Sequence, residues 1–467
     1  MDAPAEEVKK AEGISVGMIL LNVLSIGAIL LWSLVLMHPL NPQPGQLHDF
    51  VQEWTSAKSH LEGQPIYGDL NQAIERYLGV KNSSDIQVNA HPPSAVLLTL
   101  PFGMMPYRQA FQVWSVLSLL MLGGSLLLVY RCFASNIRLS SIAPFIALIM
   151  SSNAFAQQVN QGQLNCLLLL MLTVVWALAR AGYDKSAGAV LGVATAIKLF
   201  PGFIFLYFLA RKQWWAIAAG AVAFVVVSAL TAAVLGVDSF TTYVTNVLPQ
   251  LAQYREHWLN ASIPGLWNKL FGGITGHSVP VFESGALIKV LMVVTGLVVT
   301  FFAWVAIREK HDPMLRAAQQ ELRPPDERGH PDERGHPEEG RSHDDGGFAI
   351  CVMAMMLVSP ITWDHYFVML LLPLAILWCG APRTWQTRCV VLGASVVLLT
   401  VNPKWIWDAT ILGNGELALE GASVAEPWQV LTLLSFQMYA LLGLFVWALL
   451  RGRAKTLRRK EKTPVSA

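Results

Sequence analysis

The stretch GISVGMILLNVLSIGAILLWSLVLM, residues 13–37, carries no charged side chain. A helix needs about 20 apolar residues to cross a hydrocarbon core. In lipid every backbone polar group must be satisfied within the segment, which selects the helix. The segment is too long for a removable signal peptide and lacks a small-residue cleavage site, so it reads as an anchor. Further apolar runs follow at 109–130, 141–158, 164–181, 186–200, 202–212, 213–236, 286–307, 348–361, 365–381, 389–402 and 428–450. The expected fold class is therefore an all-α polytopic membrane protein with about 12 transmembrane or re-entrant helices. The pair 186–200 and 202–212 is short and split by Pro201, which predicts broken or re-entrant helices; these persist at membrane depth only where they line protein or a cavity.

Composition agrees with that class. Of 467 residues, 54% are hydrophobic and 14% charged, with a mean hydropathy of +0.46. Soluble proteins carry about 25% charged residues, so lipid must cover part of this surface. No alternating strand–helix pattern marks a nucleotide-sugar-binding domain, and no nucleic-acid partner is expected. Net charge is only +2, but the basic residues cluster. Arg131 with Arg138, Arg180 with Lys185, Arg211 with Lys212, Arg383 with Arg388, and the tail from Arg451 to Lys462 fall at every second connection. The positive-inside rule places them in the cytoplasm together with both termini, giving a multi-pass protein of the plasma (inner) membrane. The cysteines (132, 166, 351, 379 and 389) show no metal-ligand spacing and read as small membrane-buried thiols.

This topology divides the chain into a cytoplasmic tail (1–12), an N-terminal transmembrane region (13–307), a linker (308–347), a C-terminal transmembrane region (348–450) and a basic cytoplasmic tail (451–467). Four pieces then face outward. The loop 38–108 carries His48-Asp49-Phe50 and ends in a proline-flanked apolar stretch, Pro92 to Pro106, expected along the interface. The others are the turn Asn160 to Gln163, the loop 237–285 and the turn Ser359 to Tyr366. The linker holds a hexapeptide written twice, Pro325 to His330 and Pro331 to His336, and has nothing to bury. Asn82 and Asn260 match the short glycosylation acceptor pattern, which carries no weight here.

Several residues on the outer side suit chemistry. Asp49 can act as a general base for an attacking hydroxyl, an effect of typically 10²–10⁴-fold; the plainer reading is a solvated loop aspartate. Lys198 is the only charge between Ala187 and Ala210. A lysine at membrane depth is costly and points to function, although it can also snorkel to the interface. His365 can hydrogen-bond a phosphate or leaving group near neutral pH, or simply belong to an aromatic belt. Arg255 and His257, beside Tyr254 and Trp258, suit a phosphorylated sugar. Asn160, Gln163 and Asn165 offer amides for sugar hydroxyls, and Trp363 a ring face. Each signal is weak alone, and all fall on one side of the membrane.

The run Asn160-Gln161-Gly162-Gln163-Leu164-Asn165, then Ala187-Gly188 to Gly192, Ile197-Lys198-Leu199-Phe200-Pro201 and Arg211-Lys212, resembles the signature of glycosyltransferase family 87. Asp49-Phe50 with Leu61-Glu62-Gly63-Gln64-Pro65-Ile66-Tyr67, His91-Pro92-Pro93 to Leu100-Pro101, and Ser359-Pro360-Ile361-Thr362-Trp363-Asp364-His365-Tyr366 resemble further family elements in the same order. His91 stands where the family usually carries an aromatic. The resemblance spans residues 45 to about 375. It implies a GT-C-type glycosyltransferase fold and an extracytoplasmic active site. It implies Asp49 as general base, and donor-phosphate contacts in the Lys198 and His365 regions. It further implies inverting transfer from a β-linked polyprenyl-phosphate sugar.

The expectation is a hexosyltransferase moving mannose from a polyprenyl-phosphate donor to a membrane lipid or glycolipid acceptor. No cofactor or metal is expected; the acidic pair Asp344-Asp345 falls in the inner linker. The rival is a lipid or sugar transporter, since broken helices occur there too. Against it, no second half repeats the 186–212 pattern, and the polar residues gather on one face. A non-catalytic scaffold is the remaining alternative.

Overall fold

The computed structural model describes residues 16–37, 40–41, 46–81, 88–134, 137, 139–272, 278–309, 344–380, 384–412, 418–419 and 422–461. Each of the apolar runs named above is helical over most of its length. Five described helices are long and apolar enough to cross a membrane, or seven if each of two bent pairs is one span. Other runs form shorter helices, which is why apolar length alone overstates the crossings: a short apolar run can equally pack inside the bundle.

The long helices are α1 (Val16–Met37), α5 (Tyr107–Phe133), α11 (Trp214–Leu235), α15 (Gly285–Glu309) and the C-terminal α21 (Phe436–Glu461), which follows the short α20 (Pro427–Leu431). On α1, α11 and α15 the apolar side chains point mostly away from the protein; Leu34, Val222 and Leu297 are more than 60% exposed. Such contiguous apolar surface is stable only under lipid. The opposite case is α16 (Asp345–Val358), in which every residue from Gly347 to Leu357 is buried. It forms the core with the 3₁₀ segment Asp364–Leu370 and α17 (Leu371–Gly380).

The outer loop of the sequence is itself structured. It folds into α2 (Val51–Leu61), α3 (Leu70–Leu78) and α4 (Pro93–Gly103). The proline-flanked stretch expected along the interface is α4, which packs one face on the protein and leaves Leu98, Met104 and Met105 exposed. Pro93 to Val96, Thr99, Phe102 and Gly103 are buried. A Cβ on Gly103 would lie 2.9 Å from the Ala57 backbone of α2, so the apolar character of α4 serves protein packing.

Two breaks shape the interior. The helices α6 (Ile142–Met150) and α7 (Asn153–Gln161) meet at 55°, where Ser152 Oγ accepts from the Phe155 amide at 3.2 Å and starts a new helix. The second break lies between α9 (Asp184–Ile197) and α10 (Phe205–Ala210). The chain leaves α9 at Lys198, which is extended (φ −150°, ψ 129°), and passes Pro201 in a 3₁₀ turn, Phe200–Ile204. The expected broken helix is thus present, with the break three residues before the proline.

Small residues let α9 and α11 touch. A Cβ on Gly188 would fall 1.9 Å from the Ala216 carbonyl oxygen, and one on Gly192 would fall 2.1 Å from that of Gly220. Glycines four residues apart bring helix backbones together, as membrane interiors favour.

Together α8 (Asn165–Arg180), α9 and α16 define the depth of the bundle. They have 16, 14 and 14 residues, so they rise only about 24, 21 and 21 Å at 1.5 Å per residue. One end of this layer is closed by an Arg180–Asp345 ion pair, with Trp176 Nε1 donating to Asp345 Oδ1 at 2.9 Å. Asp344 caps α16, its Oδ1 accepting from the Gly347 amide at 2.8 Å. The linker therefore ends before the expected residue 347, and its acidic pair is structural. The hexapeptide repeat, Asn82, Arg138 and Arg383 lie outside the described residues. The other end of these three helices carries Asn165, Lys198 and Ser359, and each helix is shorter than a hydrocarbon core of about 30 Å.

Candidate active site

Asp49 sits in the turn that starts α2, and that turn is held from several sides. The Phe50 amide donates to the Gln161 carbonyl at 3.0 Å, and the His48 amide to the Tyr107 hydroxyl at 3.0 Å. The His48 ring hydrogen-bonds the Asn160 carbonyl through Nδ1 and stacks on Phe111, centroids 4.1 Å apart. Trp114 Nε1 donates to the Gly162 carbonyl at 2.7 Å. Gly162 has φ +65°, and a Cβ there would lie 2.7 Å from the Phe111 ring. Only glycine suits both demands. The Asn160–Gln163 turn is thus docked on the Asp49 turn. Gln163 Nε2 completes the contact by donating to Asp49 Oδ2 at 2.8 Å.

Asp49 faces the cavity but is otherwise enclosed by protein. Burial pushes its carboxyl above the usual carboxylate range, against the opposing pull of the His365 ring and the Gln163 amide. Burial likewise pushes the His48 imidazole down.

His365 enters from the 3₁₀ segment after the Ser359–Pro360 break. Its amide donates to Asp364 Oδ1 at 2.8 Å, and its Nδ1 lies 3.5 Å from the same oxygen. Asp364 is fixed in turn by Asn153 Nδ2 of α7 at 2.8 Å. The imidazole is thereby oriented by a carboxylate, as in carboxylate–histidine pairs generally. His365 is 8% exposed, and its Nε2 has no partner among the described residues.

Lys198 is 7% exposed, and its Nζ likewise has no hydrogen-bond partner among the described residues. The ammonium lies 4.2 Å from the Tyr366 ring centroid and 5.6 Å from that of Phe200. Two aromatic faces favour a cation there but leave its three donors unused. Its nearest carboxylate influences are Glu53 and Asp49.

These groups share one cavity of about 670 Å³. Of the residues expected from sequence, Asp49, Gln163, Lys198, Tyr254, Arg255, His257, Trp363 and His365 line it. The His257 ring meets Trp363 edge-on at 4.8 Å. The outer loop and the 359–362 turn are joined by Asn260, whose Nδ2 donates to the Pro360 carbonyl at 3.0 Å and whose Oδ1 accepts from the Thr362 amide at 3.0 Å. Asn260 is 1% exposed, so its glycosylation pattern is structural coincidence. Lys269 supports the same junction by donating to the Asn260 carbonyl at 3.0 Å, and burial pushes its ammonium down to about 7.

Asn160 and Asn165 are not on the wall. Asn160 contributes its carbonyl to His48. Asn165 is fully buried and donates to Gln158 Oε1 at 2.9 Å and to the His365 carbonyl at 3.5 Å. They brace the site, because one turn of chain cannot point all of its amides the same way. Sequence reasoning missed Gln52, His91, Asn402 and Lys404 on the wall, and the buried contact between His91 Nδ1 and the Glu53 carboxyl. The only available signal was the four-residue spacing of Asp49 and Glu53 across the start of α2, which keeps the two carboxylates close in the chain.

Comparison with known proteins first gives a class, membrane-bound glycosyltransferases that use lipid-linked sugars. The chain belongs to glycosyltransferase family 87, whose family model matches residues 89–320. That match holds the Asn160–Gln163 turn and Lys198; Asp49 and His365 lie outside it. One relative, the polyprenol-phosphate-mannose-dependent alpha-(1-2)-phosphatidylinositol pentamannoside mannosyltransferase of Mycobacterium tuberculosis, is 24% identical over 407 residues, 86% of this chain and 80% of its own. A second mannosyltransferase of that organism, named for phosphatidylinositol mannoside, is 25% identical over 370 residues, 74% of each chain. An alpha-(1->3)-arabinofuranosyltransferase of Corynebacterium glutamicum is 28% identical over 255 residues, 50% of this chain and 55% of its own. No solved structure matches.

Proposed function

We propose that this chain is an integral membrane hexosyltransferase that moves mannose from a polyprenyl-phosphate donor to a membrane-bound lipid or glycan acceptor. The observation that carries the reading is the cavity that Asp49 shares with two buried groups, Lys198 Nζ and His365 Nε2, that have no hydrogen-bond partner among the described residues. An unpartnered ammonium is costly to bury, and a phosphate in the cavity would supply the missing partner.

In this mechanism the acceptor hydroxyl attacks the anomeric carbon of the sugar. Its proton passes to Asp49 as the new glycosidic bond forms. The bond from carbon to phosphate oxygen breaks on the opposite face, inverting the β-linked donor to an α-linked product. The polyprenyl phosphate leaves as a monoester whose charge Lys198 and His365 neutralise, with Arg255 and His257 nearer the rim. Tyr254 and Trp363 offer ring faces to the sugar, and Gln163 holds Asp49.

The active site faces the extracytoplasmic side of the plasma (inner) membrane, with both termini cytoplasmic and a GT-C-type arrangement of crossing and re-entrant helices. Support comes from the basic clusters and from the ion pair that closes the far end of α8 and α16. A site at one end of the bundle also favours an enzyme over a transporter, whose site belongs near the midplane. The test offers purified protein in lipid either polyprenyl-phosphate mannose or polyprenyl-phosphate arabinose with total membrane lipid. Transfer of mannose to a lipid supports the reading, whereas transfer of arabinose alone would replace the sugar. Transfer of neither would remove the enzymatic reading.

A further inference from the structure

Resting on that reading, we propose that His91, held by Glu53, binds a hydroxyl of the acceptor beside the one that Asp49 deprotonates. The structural basis is a second carboxylate–imidazole pair in the same site. Asp364 orients His365, and both line the cavity with Asp49. Glu53 of α2, one helical turn after Asp49, likewise pairs with His91 Nδ1.

The His91 segment is fixed as few loops are. Its amide donates to Asn89 Oδ1 at 2.9 Å, and its carbonyl accepts from the Tyr67 hydroxyl at 2.7 Å. Asn89 Nδ2 donates to the Gln52 carbonyl at 3.1 Å and to Ser56 Oγ at 3.0 Å, while the Ala90 amide donates to Gln52 Oε1 at 3.1 Å. This network clamps residues 89–91 to the face of α2 that follows Asp49. Glu53 and His91 are 3% and 4% exposed, and His91 still lines the cavity. With Nδ1 taken by Glu53, Nε2 is the ring atom left to meet a ligand.

Proximity to the base assigns the pair to the acceptor. The attacking hydroxyl must reach Asp49, so a group held one helical turn from Asp49 and lining the same cavity meets the acceptor. A carboxylate and an imidazole near one another suit two neighbouring hydroxyls of one acceptor. The charged groups around the pair are Asp49 on the preceding turn and Lys198 at the end of α9.

His91 is the substrate-touching residue and Glu53 its positioning residue. The experiment measures initial transfer from polyprenyl-phosphate mannose with His91→Gln, Glu53→Gln and the double variant. Total membrane lipid and donor are titrated separately. His91→Gln should raise the apparent KM for the lipid pool about tenfold, the effect of one lost hydrogen bond to substrate, with donor KM within about twofold. Glu53→Gln should do the same, and the double variant no more than either single, as residues acting through one contact are not additive. A purely structural pair would instead lower the amount and thermal midpoint of the protein and leave both KM values alone. That result overturns the proposal, as does an equal rise in donor KM. Wild type that transfers nothing would overturn the hexosyltransferase reading itself, a result distinct from either.

Discussion

Gln163 donates to Asp49 Oδ2 at 2.8 Å across 114 residues of sequence. The contact joins the first outer turn to the turn that ends α7, and through Gln158, whose Nε2 donates to the Gln163 carbonyl at 2.5 Å, to the side of the bundle that holds His365. Asp49 and His365 thus share one hydrogen-bonded scaffold. Preorganised groups of this kind lower a barrier without rearranging during reaction.

The position of Asp49 predicts a shifted acid limb. Burial raises its carboxyl above the ordinary value, and only the ionised form accepts a proton. The limb of kcat/KM against pH should therefore fall at a higher pH than an ordinary aspartate near 4 would give. A profile flat down to about pH 4 would contradict this.

The same shift has a stability consequence of opposite sign. A carboxyl raised by folding favours the native state below its folded pKa and burdens it above, as the buried charge forms. Asp49→Asn should then unfold at a higher temperature than wild type at neutral pH while losing activity. An equal or lower midpoint at pH 7, with unchanged behaviour at acid pH, would show that the charge is not disfavoured there.

Lys198→Met separates function from packing. If the ammonium serves a phosphate, its loss should cut kcat/KM by roughly 10²–10³. The thermal midpoint should hold or rise, because an unpartnered buried charge is removed. A fall in midpoint with activity retained would assign Lys198 to packing against Tyr366 and Phe200.

The contact between α9 and α11 predicts a steep size limit. Gly188→Leu has the Ala216 backbone in its path and should cost about 3 kcal/mol, read as loss of monodisperse protein in detergent. Gly123→Ala in α5, where a Cβ meets nothing within 4 Å, should match wild type or gain up to about 1 kcal/mol. Equal behaviour of the two would deny the close approach.

Much of this was legible in the chain. Lys198 stood out because a lone charge in an apolar run has few structural uses, and Asp49, His365 and Trp363 because the pattern of apolar runs and basic clusters predicts their turns on one side of a membrane. The crossings were harder. The apolar run at 348–361 is a helix buried on all sides, and hydropathy does not separate protein neighbours from lipid. Asn160 and Asn165 were misassigned to the wall because composition says nothing of direction, and direction here depends on where Gly162 turns the chain. The Glu53–His91 pair escaped notice because its partners lie 38 residues apart, a distance that no local spacing rule spans.

The central claim is that Asp49 is the base of a transfer from a lipid-phosphate sugar. The direct measurement is transfer of labelled mannose from polyprenyl-phosphate mannose to membrane lipid by equal amounts of wild type and Asp49→Asn. A loss of roughly 10²-fold or more in the variant, with folding intact, is the predicted result. Equal labelling by the two proteins would contradict it.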